Sequence, residues 1–135
     1  MPSAAFALQQ AIFAKLANDA ETTAALGGAR IYDDVPPRAE FPFLTFGQSI
    51  ERDWSTGSDE GFEHTITLHA WSRARGRKEA QAIIAAARDA LHDQALTLTA
   101  HRLVNLRHEY SEVRRDSDGE TFHGIVRFRA VTEVE

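Results

Sequence analysis

The chain has 135 residues, 43% of them apolar and 26% charged, the balance of a folded globular protein and not of a disordered segment. It contains no cysteine, which excludes disulfides, thiolate metal sites and a cysteine nucleophile, and it has neither a run of about 18 apolar residues nor a secretory leader pattern. The formal net charge of −5 is uneven: residues 1–71 carry four basic and ten acidic side chains, residues 72–135 eleven and ten, a polarity that bears on association and not on fold.

A chain of this length is expected to form one domain over residues 1–135, large enough to bury roughly two-thirds of its unfolded surface. Ser3 is an N-cap for a helix over residues 3–17. Ala5, Leu8, Ile12 and Leu16 fall at helical spacing there, with Phe13 widening the stripe. Asp19 caps a second, short helical turn that Gly27-Gly28 ends. Ile31-Tyr32 adds a short strand before Pro36-Pro37 interrupts regular structure.

Residues 43–54 read as a strand, and the polar stretch 55–61 as the loop to its antiparallel neighbour. In that neighbour Phe62, Ile66, Leu68 and Ala70 point one way, and Thr65, Thr67, His69 and Trp71 the other. A tryptophan on the second face predicts that this face is partly covered. A helix over residues 76–92 presents Ala80, Ile83, Ile84, Ala87 and Leu91 as its apolar stripe. Residues 96–98 and 103–106 are short strand segments, the second continuing to Val113. Asp116-Ser117-Asp118-Gly119 is a hairpin turn, and the last strand runs to about Thr132. Together these elements predict an α+β fold: an antiparallel or mixed sheet of four to six strands with two main helices on one face.

Catalytic and metal-binding patterns are missing. His64 and His69 fall on opposite faces of a strand, and His101 and His108 do so if their strand is regular. His123 has no histidine or carboxylate at ligand spacing. No His-Glu-x-x-His motif, nucleophile elbow, Walker loop or dinucleotide fingerprint occurs. Asp33-Asp34 and Asp59-Glu60 sit in polar loops, where solvated surface is the simplest reading. No catalytic residue, cofactor or metal is therefore expected. The cluster Arg73, Arg75, Arg77 and Lys78 is different, because four cations at a helix start oppose the macrodipole. Asp59, Glu60 and Glu63 on a neighbouring subunit would compensate them, and such a head-to-tail contact closes into a ring when the rotation allows. An acidic chain is poorly suited to tight nucleic-acid binding, yet suits a channel wall that DNA must pass without adhering.

The order of these elements resembles the tail-completion, or tail-terminator, proteins of long-tailed phages, prophages and gene transfer agents, those of gene transfer agents most of all. The resemblance is carried by Leu8 and Leu16 in the first helix, by Arg30-Ile31-Tyr32-Asp33 followed by Pro36, and by Phe41-Pro42-Phe43. It continues through Ile66, Leu68 and Ala70-Trp71-Ser72 into Glu79-Ala80, then Asp118-Gly119, His123-Gly124 and Val126-Arg127-Phe128-Arg129-Ala130. It implies a structural subunit, without turnover, of a hexameric ring at the head–tail junction of a virion or phage-like particle assembled in the bacterial cytoplasm. Such a ring caps the tail tube, stops its polymerisation and joins the head-completion, or stopper, protein, with DNA passing transiently through its channel and no membrane involved. The alternatives are another connector, such as a stopper or a tube subunit, and a small α+β ligand-binding protein or enzyme, for which His69, Trp71 and His123 are the side chains a pocket could draw on.

Overall fold

A computed structural model describes residues 3–135. Helix α1 spans Ala4–Ala17, and the Ser3 hydroxyl accepts a hydrogen bond from the Phe6 amide at 3.0 Å, which satisfies one of the amide donors that a helix start leaves free. Ala4, Ala7, Leu8, Ile12 and Leu16 are buried. Phe13 departs from expectation: it is 43% exposed, as is Phe6 at 54%. The two stand seven positions apart and so share a face of the helix beside the inward stripe. Helix α2, Ala20–Leu26, starts on the Asp19 carboxylate, which accepts from the Thr22 amide at 3.0 Å and the Thr22 hydroxyl at 2.6 Å. Gly27 ends it at φ +76°, a left-handed conformation that glycine adopts without a steric penalty.

The strands are β1 (Ile31–Tyr32), β2 (Phe43–Asp53), β3 (Gly61–Ser72), β4 (Thr97–Leu98), β5 (His101–Arg115) and β6 (Phe122–Val134), with α3 (Lys78–Leu91) between β3 and β4. They form one mixed sheet in the order β1-β2-β3-β6-β5-β4. Only β1 and β2 are parallel; the other pairs are antiparallel. The sheet curls into a half-barrel around the helices, an α+β architecture of the kind the element order predicts.

The last two long strands differ from the sequence reading in extent. Strand β5 starts at His101 and runs to Arg115, beyond the residues 103–113 read from sequence, and carries bulges at Leu103/Asn105 and His108/Tyr110. Such bulges shift the alternation of side chains, which hides a long strand from a period-two pattern. Helix α3 begins at Lys78, after a loop that retains Gly76 and Arg77.

The core lies between the helices and the inward face of the sheet. Leu8, Ile12 and Leu16 of α1 and Ile83, Ile84, Ala87 and Leu91 of α3 meet Leu44, Leu68, Val126 and Phe128. Gly124 sets the approach of α3: a Cβ there would lie 2.6 Å from Ile84 Cδ1 and 3.3 Å from the Ala70 Cβ. Close helix-on-sheet packing thus depends on a missing side chain in β6.

Candidate interaction surface

The charged residues singled out in the sequence stand at opposite ends of the sheet. Asp59 and Glu60 lie in the β2–β3 loop, while Arg73, Arg75 and Arg77 fill the β3–α3 loop and Lys78 opens α3. Strand β3, of 12 residues, separates the two groups by about 40 Å. They cannot face each other within one subunit.

Their engagement differs from residue to residue. Glu63 is occupied inside the molecule, accepting a hydrogen bond from Arg129 Nε at 2.6 Å and standing 3.8 Å from Arg52. Arg73 donates to the Thr121 hydroxyl at 3.2 Å, lies 3.8 Å from Glu120 and covers the Phe41 ring at 4.3 Å. Arg77 lies 5.5 Å from the centre of the Phe122 ring, with Arg115 5.2 Å from the same ring. Asp59, Glu60, Arg75 and Lys78 are exposed. The β5–β6 hairpin adds Arg114 and Arg115 to the basic end, two cations the sequence reading left out because β5 had been traced only to Val113. In the same hairpin Asp118 accepts from the Thr121 hydroxyl and from the Thr121 and Glu120 amides. Those bonds hold its carboxyl down at about 2.

Sequence spacing alone separates His69 from His123, but the sheet joins them. Trp71 pairs with His123 across β3 and β6, and His69 Nδ1 lies 2.6 Å from His123 Nε2. His123 Nδ1 in turn stands 3.8 Å from Asp116. The expectation that His123 lacks a histidine or carboxylate neighbour is therefore corrected. Cross-strand register, not spacing along the chain, creates the pair. Trp71 and His123 stack with ring centres 4.0 Å apart, and Trp71 Nε1 donates to the Thr45 hydroxyl at 3.0 Å. Gly47 makes room for the cluster, since a Cβ there would lie 2.2 Å from His69 Nε2. Burial, and then Arg114, lower the pKa of His69; burial, and then His69, lower that of His123, with Asp116 opposing.

These rings thus stack on one another and find partners for their nitrogens within the cluster, on Thr45 and beside Asp116, which explains why the helix-free face of the sheet tolerates a tryptophan. Among the described residues no group of three or more His, Cys, Asp or Glu side chains could hold a metal ion, and no helix is long and apolar enough to cross a membrane.

A half-barrel whose notable side chains are surface charges and ring stacks defines a protein of assembly surfaces. The comparisons give that class a family. The family described as "Tail completion protein gp17" matches residues 10–133, and the chain belongs to it. No curated protein sequence matches. Among solved structures, the chain is similar to one from the "Virion of native gene transfer agent (GTA) particle", with a TM-score of 0.90, 30% identity and coverage of 98% of this chain and 99% of that one. The family is one of structural virion tail proteins and not of enzymes.

Proposed function

We propose that this protein is a subunit of a hexameric ring that caps the tail tube, halts its polymerisation and joins the tail to the head-completion protein, with DNA passing through the central channel. The observation that carries this reading is the agreement in fold over nearly the whole length of both chains with a component of a gene transfer agent virion, in a chain that belongs to a tail completion family. The uneven charge supports it. With the strands running along the ring axis, Asp59 and Glu60 line one rim, and Arg73, Arg75, Arg77 and Lys78 the other, so the two rims select partners of opposite charge. This arrangement departs from the ring interface read from sequence: Asp59, Glu60, Arg73, Arg75, Arg77 and Lys78 would serve contacts with the neighbours above and below and not with the next copy in the ring, and Glu63 would act indirectly by holding Arg129 and Arg52.

Polymerisation of the cognate tube protein tests the reading. Adding this protein in rising proportion is expected to shorten the tubes and leave a cap visible at one end. Tubes whose length distribution ignores it would overturn the capping role.

A further inference from the structure

We infer that the exposed Phe6 and Phe13 face of α1 in one copy packs into the groove between α3 and β5 of the next copy. The inference deepens the ring reading and rests on it.

The first surface is apolar and uncovered. Phe6, Phe13 and Val35 are 54%, 43% and 41% exposed, three of the six large apolar side chains so exposed among the described residues. An exposed apolar grouping of this kind is the usual mark of a contact site. Phe6, Gln9, Gln10 and Phe13 share one side of α1. The opposite side, through Ala11, Ala14 and Lys15, meets Ala95 and Leu96, so Phe13 faces away from β4 and toward β2. There it lines a cavity of about 380 Å³ with Phe46 and Asp33, two residues before Val35.

The second surface is a groove on the other flank of the sheet. A cavity of about 280 Å³ lies between Ile84, Ala85 and Arg88 of α3 and Ser111 and Val113 of β5. It is large enough for an aromatic ring, since an apolar cavity of about 150 Å³ accepts benzene. Strand β4 covers β5 only at His101 and Arg102, so among the described residues no strand closes the groove.

The two surfaces lie at the same level of the sheet. Phe46 stands opposite Leu68, Leu68 opposite Val126, and Val126 opposite Ser111. A rotation about an axis along the strands keeps each level, so it brings the Phe13 side of one copy against the Ser111 side of the next. Such a contact is heterologous, and it closes into a ring when the rotation allows. It runs through side chains of α1, α3 and β5 and uses no hydrogen bond of a sheet edge, so it is compatible with the cover that β1 gives Leu44 and Thr45.

Charge agrees with this pairing. Asp33 and Asp34 are exposed, and neither forms an ion pair among the described residues. Arg88, in the groove wall, stands 3.6 Å from Asp89, its neighbour in the chain, and Arg115 lies further along β5. The acidic loop of one copy would meet these cations of the next, which fixes the orientation of the contact. Glu112 is the acid of the groove wall, and Gln9 and Gln10 beside Phe13 offer it amide donors.

The absence of native cysteine makes a crosslinking test specific. Gln10→Cys and Gln81→Cys place one thiol at each cavity, both on exposed positions, and leave the phenylalanines intact. With a short bismaleimide, the double variant is expected to give a ladder of linked chains up to the full ring. The single variants are expected to link only when mixed, and only into dimers. Linking within either single variant alone would signal a two-fold contact and overturn the proposal. Adding Phe13→Asp, at an exposed position, should abolish the ladder while the circular dichroism spectrum stays unchanged; an undiminished ladder would count equally against the proposal. Rings seen by electron microscopy without any ladder would overturn this contact and leave the ring reading standing. Neither rings nor links would sink both.

Discussion

The histidines report on the fold through their protonation. His64 is fully buried, with Nε2 2.9 Å from the Thr132 hydroxyl, and burial lowers its pKa against the opposing pull of Glu51. His69 and His123 share one hydrogen bond in which one ring donates and the other accepts; two imidazolium rings cannot form it. All three have folded-state pKa values below the ordinary 6.5. The unfolded chain therefore binds more protons as pH falls below 6.5, and stability declines from there toward the folded-state values. Denaturant midpoints at about pH 7.5 and about pH 5.5 should show a fall on the acid side. The fall should shrink when His69→Gln and His123→Gln are combined. A midpoint that is flat or rises on acidification would contradict this account.

At the scale of elements, the seat of α3 on the sheet is the most exacting contact. Gly124→Ala introduces a Cβ against Ile84 Cδ1, which can turn away, and against the Ala70 Cβ, which cannot. The expected cost is about 1–3 kcal/mol. Ile84→Val removes Cδ1, so it should recover part of that loss in the double variant, as a thermal or denaturant double-mutant cycle would read out. Strict additivity of the two changes would place the strain elsewhere.

The helices and the β2–β3 hairpin were legible because caps and periodicity are local: Ser3, Asp19 and Gly27 do in the structure what their residue types predict. Strand β5 was legible over residues 103–113 but not at its ends, His101-Arg102 and Arg114-Arg115, since charged residues and two bulges break the alternation that marks a strand. The ring stack of His69, Trp71 and His123 was hidden for another reason. It depends on which residues of β3 and β6 face each other, and no spacing along the chain encodes that register. The exposed face of α1 misled in the opposite direction: Phe13 has the apolarity of a core residue, yet it stands at the rim of a surface cavity.

For the whole molecule, the acidic and basic ends of the sheet set two opposed directions of contact along the strands. The family and the fold make it a tail completion protein; the proposed ring gives those directions their uses. The rims would meet the tube and the head-completion protein. The most direct measurement is negative-stain electron microscopy of the purified protein at high concentration, alone and with tube ends. The account predicts six-fold rings with a central hole. A uniform field of single subunits under both conditions would contradict it.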